Sequence, residues 1–337
     1  MPGYDDIRRA QIRVQEHIKQ TPIVESHLLN QWLGSRILFK AECLQTTGAF
    51  KVRGALNALS AYIERHGKPR QVVANSSGNH AQAVAWAAHN QGIPATIYTT
   101  HTVSAVKAAA TRHYGAQLCQ FSTRVEADEA VQRAAEQDGV FWIPPFNHED
   151  VIAGQGTLAL DAFSQLNGLN IDAICTPCGG GGLLSGTLLT TRQHFPTAKV
   201  LGAEPANAND AARSLKLGHI VGLEGTANTL ADGAATPSVG PLTFPLLQQV
   251  DGFYEVEETA IAYWTQWLQH LLKLHIEPTS AMTLEAVARY LQQQGRGQTI
   301  MVLISGGNIS PQTSQQVWSV DHLQKVPDGP FISSGSC

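Results

Sequence analysis

Gln71–Thr100 reads QVVANSSGNHAQAVAWAAHNQGIPATIYTT. The β-branched run QVVA breaks at Asn75 into a loop of Ser76, Ser77 and Gly78, and HAQAVAWAAHNQG then spaces small apolar residues at helical intervals. After the turn at Gly92–Pro94, ATIYTT returns to a strand pattern. Strand, loop, helix and strand make a βαβ unit. The same rhythm extends outward in both directions. Upstream, RILFKAE (Arg36–Glu42) leads to KVRGALNALSAYIERHG (Lys51–Gly67); downstream stand IDAICTP (Ile171–Pro177), AKVLGAE (Ala198–Glu204) and TIMVLIS (Thr299–Ser305), each before a Gly- or Asn-rich turn. The alternation specifies an α/β architecture of parallel sheet flanked by helices. In such sheets ligands gather where strands end and helices begin.

Composition narrows the function classes. With 337 residues, 43% hydrophobic and 15% charged, the chain has material for two domains, or for one core with a large inserted lobe. No apolar run approaches the roughly 18 residues a spanning helix needs. Asp5, Asp6 and Arg8 stand where a signal peptide would be apolar, while Ile7, Ala10, Val14 and Ile18 share one helical face. A net charge of −4 without basic clusters gives no electrostatic reason to expect nucleic acid or a membrane as partner, so a small molecule is expected. Five cysteines without framework spacing fit free thiols in a reducing, cytoplasmic setting. Cys175 and Cys178 form a C-x-x-C with no second pair, which reads as strand packing. The tail after Gln324 lacks periodicity and is expected to fray.

Four loops carry chemistry. Thr46-Thr47-Gly48-Ala49-Phe50-Lys51 places a lysine at a helix mouth, where burial and helix-end electrostatics depress its pKa as a Schiff-base amine requires; alone, it also reads as a solvated helix start. Ser76-Ser77-Gly78-Asn79-His80 offers backbone N–H groups, hydroxyls and an amide to a carboxylate, and equally to an N-cap. Gly179-Gly180-Gly181-Gly182-Leu183 lets backbone wrap a phosphate before a helix N-terminus, but matches neither a P-loop nor a spaced dinucleotide fingerprint. Ser305-Gly306-Gly307-Asn308 is a further polar loop at a strand end.

In this order the four blocks resemble the β-family, or fold type II, of pyridoxal-phosphate (PLP) enzymes, and T-G-A-F-K-x-R-G-A with S-S-G-N-H-A resembles its threonine/serine dehydratase and serine racemase branch. The resemblance runs from about Thr21 to Asn308, and VIAGQGT (Val151–Thr157) and IEPTSA (Ile276–Ala281) extend it. It implies two parallel-sheet lobes with the active site between them: residues 1–69 and 149–337 as the large cofactor-binding domain, 70–148 as the small mobile one. It implies that Lys51 binds PLP and acts as base, that Phe50 lies against the pyridine ring and that Asn79 bonds the ring hydroxyl. Gly179, Gly180, Gly181, Gly182 and Leu183 would hold the phosphate, and Ser305 would partner the ring nitrogen. Ser76, Ser77, Asn79 and His80 would surround the substrate carboxylate. The implied reaction is ammonia-lyase (dehydratase) chemistry on L-threonine, L-serine or a related 3-hydroxy amino acid, giving a 2-oxo acid and ammonia. Serine racemase, a bifunctional racemase/dehydratase or a 3-hydroxyaspartate dehydratase are the alternatives. Ser77 matches the second base of the racemases, which permits racemisation without requiring it.

The racemase-like members bind Mg²⁺ or Ca²⁺ at positions matched by Glu204, Ala208 and Asp210, an oxygen set suited to hard cations; a capped helix start is the plainer reading. The chain departs from the racemases after Gly115, where counting puts Asp128 in the place of an arginine linked to closure and leaves Arg124 four residues earlier. Only 337 − 308 = 29 residues follow Asn308, fewer than the C-terminal regulatory domain of biosynthetic threonine dehydratases, so feedback through such a domain is not expected. A homodimer is the family expectation.

Overall fold

The computed structural model describes residues 1–76, 78–225 and 227–331. Its strands run β1 (Ile23–Val24), β2 (Arg36–Ala41), β3 (Gln71–Asn75), β4 (Ala95–Thr100), β5 (Gln117–Phe121), β6 (Val140–Trp142), β7 (Ala173–Pro177), β8 (Lys199–Pro205), β9 (Gly252–Val256) and β10 (Thr299–Ile304). They form two sheets, β1-β2-β10-β7-β8-β9 and β5-β4-β3-β6. Among these strands only β1 pairs antiparallel, with β2. Every other strand pairing is parallel, as the βαβ rhythm requires. The last strand in sequence, β10, sits between β2 and β7, with Ile304 level with Ala41 and Val302 level with Cys175.

Burial explains the strand composition. Residues 300–304 of β10 are fully buried, consistent with helices covering both faces of a parallel sheet. Each of these side chains contributes about 1.5–3 kcal/mol through burial. The N-terminal helix Tyr4–Val14 buries Ile7, Ala10 and Val14, the face its spacing predicts. Helix Asn79–Asn90 buries alanines almost continuously, and these small side chains let it lie close to its neighbours. The cluster that packs the smaller sheet, with Val72, Ala74, Val84 and Ile97, also takes in Val52, Ala55, Leu56 and Leu59 of helix Lys51–His66. Apolar packing is therefore continuous from that helix into the second sheet.

A buried ionic group fixes the start of the same helix. Arg53 Nε and Nη2 each donate to Glu42 at 2.8 Å, and Nη2 also reaches Asp161 at 2.8 Å. Lys40 Nζ donates to Asp161 at 2.8 Å and to the Thr21 carbonyl at 2.6 Å. Removing one member of such a set costs about 3–5 kcal/mol, because it strands the others' charge away from water. Cys175 and Cys178 are buried and reduced, in keeping with the packing reading.

The described part of the tail, as far as Phe331, departs from expectation; residues 332–337 lie outside the described residues. Lys325 O accepts from Tyr263 Oη at 3.2 Å and Trp267 Nε1 at 2.9 Å, and Phe331 N donates to buried Glu285 at 2.9 Å. Residues up to Phe331 are thus held down by side chains of two distant helices. Sequence periodicity cannot register such contacts, because they are made largely through the tail's backbone.

Candidate active site

The strand order decides which loops meet. Because β2, β10, β7 and β8 are neighbours with parallel direction, their C-terminal ends bring Thr46–Lys51, Ser305–Asn308, Gly179–Leu183 and Glu204–Asp210 to one edge of the larger sheet. From the smaller sheet, β3 delivers Ser76 to His80.

The Lys51 loop is stitched to the β10 loop. Phe50 N donates to Ser305 O at 2.9 Å, Gly307 N donates to Gly48 O at 2.9 Å, and Ala49 bridges Gly306. Lys51 then opens helix Lys51–His66, with Nζ 2.8 Å from Pro145 O. Burial pushes this amine down to about 8, against an upward pull from the Glu277 carboxylate. Phe50 is buried beside it.

The glycine loop leads from β7 into helix Gly182–His194. Gly181 is left-handed at φ +89°, and a Cβ on Gly180 would fall 2.2 Å from the Phe146 ring. The first-turn amides of that helix have no intrahelical acceptor, which suits an anion. Ser305 is buried, its Oγ 2.8 Å from Ser280 Oγ.

Asn79 starts its helix at the junction of the sheets. Its Nδ2 donates to Glu277, and its Oδ1 accepts from Asn308 at 2.8 Å. Ser76 Oγ accepts from Gly78 N at 3.2 Å. His80 is buried with Nε2 2.8 Å from Ile143 O; burial and the nearby Lys51 charge push it down to about 3, so its ring is neutral. That leaves its backbone N–H, not its ring, as the group suited to a carboxylate. Ser77 lies outside the described residues.

Glu204 and Asp210 are both buried. Glu204 accepts from Ala211 N at 3.2 Å and Ala212 N at 2.6 Å, whereas the Asp210 carboxylate meets no side-chain donor among the described residues and is approached only by backbone N–H groups of Val239 and Asp210 itself. Burial, reinforced by Asp210, pushes Glu204 up to about 9, and burial pushes Asp210 up to about 7. Ala208 is buried in the short turn between them. Among the described residues no group of three or more His, Cys, Asp or Glu side chains gathers.

Asp128 accepts from Asn75 Nδ2 at 2.6 Å, and Trp142 Nε1 donates to Asn75 Oδ1 at 3.1 Å. Arg124 lies 3.7 Å from Asp128 on the exposed side of its own helix. The sequence reading left Glu277, Asn308, Pro145 and Lys107 without roles. Lys107 Nζ makes a salt bridge to Asp232 at 2.5 Å and stands 3.9 Å from where Gly78 would carry a Cβ.

The residues fit the cofactor that the motifs imply. A lysine of lowered basicity bonds Pro145 O, next to the Phe146 that packs on the glycine loop, and Thr47 Oγ1, His80 Nδ1 and Ser185 Oγ are buried without partners among the described residues. A fold type II arrangement of two parallel sheets with these loops defines a class, and the chain belongs to it: residues 14–306 match the family of pyridoxal-phosphate dependent enzymes. Within that family the chain is 39% identical to L-threo-3-hydroxyaspartate ammonia-lyase of Saccharomyces cerevisiae, over 92% of this chain and 94% of that one. The crystal structure of T.th. threonine deaminase superposes with a TM-score of 0.85 at 40% identity, covering 92% of this chain and 99% of that one. Maize serine racemase superposes with a TM-score of 0.87 at 35% identity, covering 94% and 97%. No helix among the described residues is long and apolar enough to cross a membrane.

Proposed function

We propose that the chain is a PLP-dependent ammonia-lyase that converts a 3-hydroxy amino acid to a 2-oxo acid and ammonia. The observation that carries this reading is Lys51, an amine lowered to about 8 and hydrogen-bonded to Pro145 O, among loops suited to a phosphate and a carboxylate. The relatives named for hydroxyaspartate, threonine and serine chemistry support a 3-hydroxy amino acid as substrate class.

In this reading Lys51 would hold the cofactor covalently and, once the substrate amine displaces it, its freed amine would take the proton from the substrate Cα. An amine near 8 is neutral often enough at neutral pH to serve as a base, a contribution of about 10²–10⁴-fold. Bound PLP would supply the electron sink that stabilises charge at Cα. Phe50 would pack against the ring, Asn79 would donate to the ring oxygen, and the amides of Gly179, Gly180, Gly181, Gly182 and Leu183 would hold the phosphate. Ser305 would face the ring nitrogen with a hydroxyl, which could not keep that nitrogen protonated as a carboxylate would. That would temper the sink and favour elimination. Ser76, Ser77, Asn79 and the His80 backbone receive the substrate carboxylate.

Three further assignments belong to the same proposal. Residues 70–148 form the small domain, and residues 1–69 with 149–337 the large one, in line with the sheet membership of the strands. Glu204, Asp210 and the Ala208 carbonyl would hold Mg²⁺ or Ca²⁺; the buried Asp210 carboxylate, bonded to no side chain among the described residues, supports this. The protein is a cytoplasmic homodimer, as the family resemblance implies.

The test is to incubate the protein with L-serine, L-threonine and L-threo-3-hydroxyaspartate while assaying 2-oxo acids and D-amino acids. A 2-oxo acid is expected from at least one, lost together with the visible cofactor band in Lys51→Ala. None from any of the three would sink the reading. Ser77→Ala should suppress any D-product more than 2-oxo acid formation, and equal losses would contradict a second base at Ser77.

A further inference from the structure

Two polar side chains in the cleft, Glu277 and Asn308, have no part in the chemistry above, yet both reach the side-chain amide of Asn79. Glu277 precedes the short helix Pro278–Ala281, but its carboxylate makes no capping bond to that helix. It turns to Asn79 Nδ2, which lies 3.1 Å from Oε1 and 3.0 Å from Oε2. On the opposite side Asn308 Nδ2 donates to Asn79 Oδ1 at 2.8 Å and to Thr47 O at 2.8 Å.

This chain of bonds has a single polarity. The Thr47 carbonyl only accepts, so it fixes which end of the Asn308 amide faces it. The other N–H of Asn308 then fixes the oxygen of Asn79. What remains of Asn79 is its NH₂ group, turned toward a carboxylate that, when ionised, also only accepts.

Two motif glycines make room for the arrangement. A Cβ on Gly48, which is left-handed at φ +71°, would fall 2.6 Å from Asn308 Oδ1, and one on Gly306 would fall 2.7 Å from Glu277 Oε1. A side chain at either position would push a member of the clamp away.

We propose that Glu277 and Asn308 are positioning residues that clamp the Asn79 amide with its N–H edge presented to the cofactor's ring oxygen. The inference rests on the proposed contact between Asn79 and that oxygen. A donor there stabilises the oxygen as an anion, whereas a reversed amide would present a carbonyl and demand a hydroxyl. The protonation state of the ring oxygen sets where the cofactor absorbs, so the clamp has a spectroscopic readout. Glu277 is pushed up to about 7, chiefly by burial with help from Asp232, while Asn79 and Lys107 oppose the rise and the Lys51 charge also faces it. Above about 7 the carboxylate is ionised and both sides hold the amide. Below it, one Glu277 oxygen carries a proton and no longer dictates the orientation, so Asn308 alone holds the amide less completely and the band moves part of the way toward the neutral-oxygen form.

The full-length protein reconstituted with PLP tests this as wild type, Glu277→Gln, Asn308→Ala, Asn79→Ala and the two double variants with Asn79→Ala. Cofactor dissociation constants and absorbance are followed between about pH 6 and 9, a span that brackets the Glu277 titration. Asn308→Ala is expected to weaken cofactor binding roughly tenfold, the loss of about one hydrogen bond, and to move absorbance toward the neutral-oxygen band. Glu277→Gln still accepts from Asn79, so affinity should stay within roughly threefold, but the change in band through about pH 7 should vanish. In the Asn79→Ala background neither substitution should cost more. Should Asn308→Ala fail to fold, the near-isosteric Asn308→Asp, which has lost both donors, is expected to give the same shift.

Undiminished losses in the Asn79→Ala background, or variant bands identical to wild type at every pH, would overturn the clamp. A wild-type protein that takes up no PLP would overturn the cofactor reading first and the clamp with it; a coloured wild type with uncoupled variants overturns the clamp alone.

Discussion

Lys51 serves the site at the expense of the fold. Its pKa of about 8 lies below the ordinary lysine value because burial strips water from the ammonium, and Glu277 restores only part of the loss. The folded chain therefore binds fewer protons than the unfolded one between about 8 and the normal lysine range, and stability rises with pH across that window. At pH 7 the penalty is fully present. Lys51→Met, which keeps most of the length and drops the charge, should stabilise the cofactor-free protein by about 1–3 kcal/mol near pH 7 and lose that advantage above about pH 10. Denaturant melts at the two pH values decide it; a variant no more stable than wild type near pH 7 would show that the amine is not buried at a cost. His80 behaves differently. Its ring bonds Ile143 O and stays neutral, so what its position offers a carboxylate is backbone.

At the scale of elements, a turn is only as good as the room around it. Gly180 lies under the Phe146 ring, and Gly180→Ala would drive a Cβ to 2.2 Å from it. Displacing an aromatic ring in packed surroundings costs about 1–3 kcal/mol. Because the ring and the glycine loop share this contact, the variant should lose cofactor affinity as well as melting temperature if that loop holds the phosphate as proposed. Equilibrium dialysis and thermal melts check both, and unchanged cofactor affinity would separate the loop from the phosphate role. Such loops were legible in the sequence, since Gly, Ser and Asn punctuate each strand-to-helix junction in the order the family motifs follow. Their convergence was not, because it depends on β10 inserting between β2 and β7, a non-local pairing without local signal. Glu277 was illegible for a related reason. An acid just before Pro278 reads as a helix cap, and its actual partner, Asn79, is 198 residues away. Lys107 likewise reads as one turn of a surface helix until Asp232, from beyond the larger sheet's β8, comes to meet it.

For the whole molecule, the proposed cation site at Glu204 and Asp210 would tie stability to divalent cations and pH together. Without a cation, two buried carboxylates titrate at about 9 and about 7, both above their ordinary range. Folding then takes up protons, so stability is retained at low pH and lost as pH rises through about 7 for Asp210 and about 9 for Glu204. A bound Mg²⁺ or Ca²⁺ would take the place of those protons, and its stabilising effect must therefore grow with pH. Chelator-treated protein should lose on the order of 2–4 kcal/mol between about pH 6 and 9, and millimolar Mg²⁺ or Ca²⁺ should return most of it near pH 9 and little near pH 6. Asp210→Asn should raise cation-free stability at the alkaline end, because it removes the charge that burial penalises, and should abolish most of the cation's effect. Thermal melts of both proteins with and without cation measure these terms directly. A cation effect of equal size at both pH values, or one that survives in Asp210→Asn, would place the ion elsewhere and leave the pair as a protonated structural contact.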